Sequence, residues 1–128
     1  MKSITCLDLF AGCGGLSNGL VQAGIQVRWA NELDGHTAET YRQSHPGCNV
    51  FEEDVNLLYR RMLDGDKDLP QPGEVDLVAG GPPCQGFSGY NRHRNVEDPR
   101  NSLVESFLDV VEHIKPRYVL MENVPGML

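Results

Sequence analysis

The chain has 128 residues, of which 40% are hydrophobic and 23% charged, and its formal net charge is −7. This length suits one domain with a buried core and excludes two independent domains. The composition is typical of a soluble globular protein, and the acidic charge argues against a bare nucleic-acid-binding surface, because affinity for phosphates comes mostly from clustered lysine and arginine.

Apolar runs in this chain alternate with turn residues and helix-like segments, a pattern that predicts a parallel α/β sheet. Strands are predicted over residues 4–10, 25–32, 49–54, 75–80 and 117–123. Helices are predicted within 14–24, 35–44, 55–65 and 101–114, and surface loops at 64–74 and 81–100. These elements make most of a doubly wound sheet but leave its far edge without partners.

The four cysteines, at positions 6, 13, 48 and 84, form no C-x-x-C pair and have no histidine at zinc spacing. The pattern predicts reduced thiols and no structural metal. Asp8 interrupts the apolar run at the N-terminus, which argues against a signal peptide, and no run is long enough to span a membrane. We therefore expect an intracellular protein with no membrane and no metal partner.

A glycine turn, GCGGLS at 12–17, follows the first predicted strand. Ser17 replaces the third glycine of the dinucleotide fingerprint, and the turn lacks the lysine of a phosphate-binding loop. Glu32, about twenty residues later, is placed to take ribose hydroxyls, and Asp54 to accept from an adenine amino group. A nucleoside without a pyrophosphate fits these contacts, and a sulfonium cation suits the carboxylates. The set predicts S-adenosylmethionine as cofactor.

Structural alternatives exist for each of these residues. The glycine turn alone is equally explained as a tight strand-to-helix turn. Glu32 or Asp54 taken singly is more often a solvated carboxylate or a helix cap, and Asp34 is placed to cap the helix that follows it. Their shared position after successive strands of one sheet favours a common cleft.

The segment GGPPCQGFS places Cys84 directly after two prolines at the end of a predicted strand. Proline fixes φ and donates no backbone N–H, so Cys84 is predicted to stand on a stiff turn as a nucleophile rather than as a core thiol. Glu122 ends the last predicted strand, where burying a carboxylate requires hydrogen-bonding partners. A structural ion pair would also explain Glu122.

Five segments carry a family resemblance. DLFAGCGGLS, NELD, EEDV, GGPPCQGFS and MENVPG, in this order, resemble the first, second, third, fourth and sixth motifs of the cytosine-C5 DNA methyltransferases. The resemblance covers the whole chain, and the pairing of Pro-Cys-Gln with Glu-Asn-Val is highly specific. Within the family, GPPCQGFSGYNRHRN together with LPQPGEVDLV is most similar to eukaryotic maintenance methyltransferases and plant chromomethylases.

The resemblance implies a Rossmann-like, S-adenosylmethionine-dependent methyltransferase fold and a covalent mechanism. Cytosine C5 is a poor nucleophile, so the Cys84 thiolate would add at C6 and make C5 reactive. Glu122 would hold the base through N3 and the exocyclic amine. The cytosine would leave the duplex, and the loop carrying Gln85, Ser88 and Arg92 would close over it, with Asn123 shaping the pocket.

The resemblance also implies a set of cofactor contacts. Phe10 would face the adenine, and Gly12 and Gly14 would admit the methionine end. The full predicted set is Phe10, Gly12, Cys13, Gly14, Gly15, Leu16, Glu32, Leu33, Asp54, Val55, Pro82 and Leu103.

Later family motifs, including a target-recognition region, are not found in this sequence. We expect residues 1–128 to be the cofactor-binding and catalytic part of a longer or split enzyme, incomplete at the C-terminal edge of its sheet and inactive alone. The expected partners are DNA and the C-terminal half of the domain. The expected location is the nucleus if the protein is eukaryotic, otherwise the cytoplasm or nucleoid. An RNA cytosine-C5 methyltransferase and a non-catalytic module are the alternatives.

Overall fold

The computed structural model describes residues 3–83 and 101–122 of the chain. Helices and strands alternate in the predicted order: β1 Thr5–Leu9, α1 Gly15–Gln22, β2 Gln26–Asn31, α2 Gly35–Ser44, β3 Asn49–Phe51, α3 Val55–Leu63, β4 Leu77–Gly80, α4 Asn101–Ile114 and β5 Tyr118–Met121. Each predicted helix and strand is present, and every strand is two or three residues shorter than its predicted run.

The strands form one parallel sheet in the order β3-β2-β1-β4-β5. The chain moves outward from β1 to β3, returns to pair β4 with β1, and then moves outward in the opposite direction. In such sheets, ligands bind beyond the carboxyl ends of the strands where the order reverses. The predicted parallel, doubly wound α/β fold is therefore confirmed, and its switch point lies between β1 and β4.

Both faces of the sheet are covered, as parallel sheets require. On one face, Leu7 and Leu9 of β1 pack with buried side chains of α3 and α4, among them Leu58 and Phe107. On the other face, Cys6 packs with Leu20 of α1. Each large apolar side chain buried in this way contributes roughly 1.5–3 kcal/mol. With helices on both faces of the central strands, the strand ends are the open position for a ligand in the described part of the chain.

Two aspartates begin helices at the same end of the sheet. Asp34 is the N-cap of α2 and accepts a hydrogen bond from the Thr37 amide at 2.9 Å, as the capping alternative predicted. Asp54 is the N-cap of α3 and accepts from the Asn56 amide at 2.7 Å. The strand predicted over 49–54 therefore stops at Phe51, because Asp54 already belongs to the helix start.

Strand β5 forms the edge of the described sheet on the β4 side. Tyr118, Val119 and Leu120 are 49%, 48% and 42% exposed, although all three are large and apolar. This is the edge that the sequence pattern left without partners. Its apolar surface is available for packing by further protein.

Candidate functional site

A cavity of about 560 Å³ opens beyond the carboxyl ends of the strands. Its lining combines apolar side chains with carboxylates, a mixture typical of nucleoside sites. The lining residues are Phe10, Asn31, Glu32, Leu33, Asp34, Gly35, Glu53, Asp54, Val55, Gly81, Pro83 and Leu103. Six residues of the predicted cofactor set are in this list, so the structure brings them together around one space.

The turn after β1 has an unusual backbone. Phe10, Gly12 and Gly14 have φ values of 55°, 61° and 99°, a region that is costly for residues with side chains. The turn is held by Asn31, whose side-chain oxygen accepts from the Phe10 amide at 3.2 Å and whose carbonyl accepts from Ala11 at 2.9 Å. These bonds fix the position of Phe10 at the cavity wall.

Gly14 is required by packing as well as by its backbone angle. A Cβ at this position would lie 2.8 Å from the His45 ring nitrogen Nε2 and 3.0 Å from Tyr41 Cδ2. A contact of 2.8 Å is almost never seen for a real Cβ atom, so a larger residue here would displace the His45 ring. Gly14 thus lets α2 pack against the start of α1.

Glu32 is held by two backbone amides. Gly12 donates to Oε1 and Asp34 donates to Oε2, both at 2.9 Å. A carboxylate oxygen has a second acceptor position, so both oxygens remain able to accept from a ligand hydroxyl. The sequence predicted that Glu32 contacts a ligand, and the structure places it in the cavity lining. The sequence did not show that the same carboxylate braces the glycine turn.

Asp54 lines the cavity while it caps α3. One carboxylate oxygen, Oδ1, accepts the Asn56 amide. The capping alternative is therefore correct for Asp54. The predicted contact with an adenine amino group stays a prediction, and the other carboxylate oxygen, Oδ2, would be the acceptor. Val55, the first residue of α3, is buried beside it and offers an apolar wall.

Asp8 is a titratable group that the sequence analysis did not assign to the site. It is fully buried in β1, and Ser17 donates to its Oδ2 at 2.5 Å. Burial raises the pKa of Asp8 to about 7, the Ser17 hydrogen bond opposes the rise, and the nearby charges of Glu122 and Glu32 add to it. An aspartate between apolar residues of a central strand was the available signal.

Glu122 follows β5 and is exposed in the described structure. Its amide donates to the Gly80 carbonyl at 2.9 Å, and its side chain lies over Gly81, where an added Cβ would be 3.3 Å from the Glu122 Cβ. Among the described residues no salt bridge involves Glu122, so the ion-pair alternative finds no support there. Gly81 lines the cavity, which sets Glu122 beside its rim.

Gly80 is a second position where a side chain has no room. An added Cβ would overlap the Leu9 carbonyl oxygen and lie 3.0 Å from Phe107 Cε2. The two glycines that precede the prolines therefore have separate tasks. Gly80 lets β4 pair closely with β1, and Gly81 makes space for Glu122.

Some predicted contacts do not line the cavity. Leu16 packs into the core between α1 and the sheet, because it lies on the inner side of its helix. Pro82 is buried, and its neighbour Pro83 lines the cavity instead. Gly12, Cys13, Gly14 and Gly15 belong to the turn and the start of α1 without facing this space. Their predicted contacts with a cofactor stay predictions.

Several predicted residues lie outside the described part of the chain. Cys84, Gln85, Ser88 and Arg92 fall in residues 84–100, and Asn123 falls after residue 122. In residues 3–83 and 101–122, no group of three metal-ligating side chains comes together, and no helix is long and apolar enough to cross a membrane.

Comparison with known proteins gives a consistent result. Residues 4–128 match the family model described as C-5 cytosine-specific DNA methylase. DNA (cytosine-5)-methyltransferase PliMCI of Paracentrotus lividus is 48% identical over 132 residues, covering 96% of this chain and 8% of that protein. DNA (cytosine-5)-methyltransferase 1 of Gallus gallus is 44% identical, covering 97% of this chain and 9% of its own length. The chain therefore spans less than a tenth of these relatives.

Solved structures show the same similarity. A protein described as a DNA modification methyltransferase encoded within an E. coli prophage superposes with a TM-score of 0.80 at 39% identity. The match covers 98% of this chain and 33% of that one. S. pombe Dnmt2 methyltransferase superposes with a TM-score of 0.70 at 26% identity, covering 98% of this chain and 36% of its own. The resemblance inferred from the motifs is confirmed.

Proposed function

Because the chain belongs to the C-5 cytosine-specific DNA methylase family, we propose that it forms the cofactor-binding and catalytic part of a DNA (cytosine-5)-methyltransferase. The reaction would transfer a methyl group from S-adenosylmethionine to C5 of a cytosine in DNA. The observation that carries the proposal is the cavity at the carboxyl ends of the strands, where the residues after β1, β2 and β3 meet.

The cavity has the chemistry that S-adenosylmethionine needs. Its carboxylates, Glu32 and Asp54, suit ribose hydroxyls, an adenine amino group and a nearby sulfonium cation. The apolar side chains of Phe10, Leu33 and Leu103 offer surfaces for the adenine ring. When bound, the cofactor supplies an electrophilic methyl group. We propose that these five residues, with Val55 and the glycine turn, hold it.

The acceptor base requires different residues. We propose that the Cys84 thiolate adds to C6 of the cytosine, which turns C5 into a nucleophile. Glu122 would hold N3 and the exocyclic amine and favour protonation of N3 as C6 is attacked. The exposure of Glu122 beside the cavity rim leaves it accessible to such a base. Gln85, Ser88, Arg92 and Asn123 would contact the flipped base or its strand.

Binding of duplex DNA requires more positive charge than this chain carries. Its net charge is −7, which repels a phosphate backbone. We propose that other segments of a longer or split methyltransferase supply the basic, sequence-reading surface, and that this surface packs against the apolar β5 edge. The eukaryotic relatives at 44–48% identity support a nuclear location.

The test is label transfer from methyl-labelled cofactor with the full-length protein. Duplex DNA, tRNA and a DNA without cytosine would be compared as acceptors, and the label would be located by nuclease digestion. We expect 5-methylcytosine in the duplex DNA only. Label in tRNA alone would establish the RNA alternative. Cofactor binding without transfer to any nucleic acid would establish a non-catalytic module.

A further inference from the structure

A chain of buried polar groups runs beneath the glycine turn and touches three elements. The Ser17 hydroxyl lies 2.5 Å from Asp8 Oδ2 and 2.7 Å from the Tyr41 hydroxyl, and the Tyr41 hydroxyl lies 3.6 Å from Cys48 Sγ. Asp8, Ser17 and Tyr41 are each 0% exposed. One serine hydroxyl therefore ties β1, α1 and α2 together directly below the predicted cofactor turn.

The other oxygen of Asp8 is unusual. Oδ1 is buried and has no hydrogen-bond partner in residues 3–83 and 101–122. No described lysine or arginine pairs with Asp8. Leaving a buried acceptor unsatisfied costs free energy, so such a group in a native structure requires an explanation. Such explanations include a catalytic or ligand-binding role for the group and a bound water or ion.

Asp8 is surrounded by thiols, a phenol and carboxylates from neighbouring elements. Burial is the largest cause of the raised pKa of Asp8, and the charges of Glu122 after β5 and Glu32 after β2 add to it. Burial likewise raises the pKa values of Cys6, Tyr41 and Cys48, and the charge of Asp8 adds to each rise. His45 stacks on Tyr41 with ring centroids 4.6 Å apart and lies against Gly14. No described lysine or arginine is among these groups, so Asp8, when ionised, keeps an unneutralised negative potential.

We propose that Ser17 and Tyr41 are positioning residues for the cofactor: Ser17 hydrogen-bonds Asp8, Tyr41 holds the Ser17 hydroxyl in place, and the Asp8 carboxylate beneath the glycine turn favours a cationic sulfonium ligand over the neutral thioether product. This inference rests on the proposed function. S-adenosylmethionine and S-adenosylhomocysteine differ by the methyl group and its positive charge, so a buried carboxylate distinguishes them even without contact. The device would help the enzyme exchange product for fresh cofactor.

Removing the Ser17 hydroxyl is expected to raise the pKa of Asp8, since that hydrogen bond now lowers it. Asp8 is charged above its pKa of about 7 and neutral below it. Preference for the sulfonium ligand should therefore rise with pH through this range in the wild type. In Ser17→Ala the rise should move to higher pH, and in Asp8→Asn the part of it due to Asp8 should vanish.

The experiment measures the dissociation constants of S-adenosylmethionine and S-adenosylhomocysteine by calorimetry on the full-length protein, from about pH 6 to about pH 8. The sulfonium charge makes the amino groups of the two ligands titrate differently, so the pH profile of Asp8→Asn is the baseline against which the wild-type profile is compared. At about pH 7.5 we expect Ser17→Ala to lower the preference for the sulfonium ligand by roughly tenfold. Tyr41→Phe, which keeps the ring against Gly14, should change it in the same direction by less.

Thr5→Val is the matched control, because it removes a β1 hydroxyl at the opposite end of the strand, bonded to the Glu74 carbonyl and to Asp76. It should keep the wild-type ratio. If Ser17→Ala does not fold, Tyr41→Phe and Asp8→Asn decide the question. A wild-type ratio and pH profile in all folded variants would overturn the inference alone. A wild-type protein that binds neither ligand would overturn the proposed function and this inference with it.

Discussion

At the β1–β3 end of the cleft, carboxylates that line the cavity are held by backbone amides. At the β4–β5 end, glycines leave space where a side chain would collide with its neighbours. Glu32 accepts from two amides and Asp54 from one. Gly80 and Gly81 instead leave room for the Leu9 carbonyl and for Glu122. We call the first region, with Phe10, the nucleoside end, and the second, with Glu122, the base end, after the ligands that we propose for them.

The difference indicates how binding and chemistry are divided. The nucleoside end is preorganised by hydrogen bonds within the chain, so its contribution to affinity needs little rearrangement on binding. The base end presents an exposed Glu122 whose proposed partner is a base that arrives only when DNA is bound. Substitutions at the nucleoside end should therefore act on cofactor affinity. Those at the base end should act on turnover or on strand packing.

The largest expected effect is at the base end. Cys84→Ser should lower methyl transfer by at least about a thousandfold, or roughly 4 kcal/mol, because a serine hydroxyl is a far weaker nucleophile at neutral pH. Cofactor affinity should stay near that of the wild type. Steady-state label transfer and calorimetry measure the two quantities. Retention of more than a few per cent of activity would remove Cys84 from the mechanism.

Gly80→Ala should be the most destabilising change among the described glycines of the cleft. The added methyl group would overlap the Leu9 carbonyl oxygen, a backbone atom that cannot rotate away, so we expect a loss of about 3 kcal/mol in the free energy of unfolding. Gly19→Ala is the control, because a Cβ there meets nothing within 4 Å and lies in a helix. Urea denaturation compares them, and equal stabilities would refute the steric argument.

Glu32→Ala tests the nucleoside end. We expect S-adenosylmethionine binding to weaken by about 1–3 kcal/mol, the usual scale for lost charge-assisted hydrogen bonds. Part of this loss would come from releasing the Gly12 and Asp34 amides that the carboxylate now accepts. Turnover at saturating cofactor should change much less. Glu39→Ala, an exposed glutamate on α2, is the control, and an unchanged dissociation constant in Glu32→Ala would place Glu32 outside the site.

The smallest expected effect is at Asp54, where two substitutions distinguish helix capping from cofactor binding. Asp54→Ala should lose about 1 kcal/mol of stability, because the cap of α3 disappears, whereas Asp54→Asn should keep the cap. If Asp54 also contacts the adenine amino group, both variants should bind the cofactor more weakly. Thermal melting and calorimetry distinguish the two roles. Wild-type affinity in Asp54→Asn would leave Asp54 with capping alone.

Sequence pattern was sufficient for the order of the elements and for the end of the sheet at which Glu32 and Asp54 lie. Apolar runs bounded by glycine, proline and aspartate give a parallel sheet, and parallel strands bring their carboxyl ends to one side. Glu32 and Asp54 were found this way because each follows an apolar run. The exact strand ends were less predictable, since Asp54 is equally suited to end a strand or to cap a helix.

The buried hydrogen-bond network could not be predicted from the sequence. Asp8, Ser17 and Tyr41 are brought together by the packing of α1 and α2 on one face of the sheet, and no spacing rule relates them. The need for glycine at position 81 was equally hidden, because the side chain that occupies the space belongs to Glu122, some forty residues later. For Leu16, the family resemblance implied a cofactor contact that stays a prediction, whereas its place in α1 packs it against the core.

The pairing of β1 with β4 has a consequence for how the protein folds. The Thr5 amide bonds to Asp76 across a sequence separation of 71 residues, while β1, β2 and β3 pair with neighbours much nearer in the chain. Closing so long a loop costs conformational entropy before the strands can pair. Long-range strand pairing of this kind therefore lowers the folding rate. During synthesis the β1–β3 half is available first, so the nucleoside end can assemble before the base end has left the ribosome. The cleft itself is completed only when β4 docks.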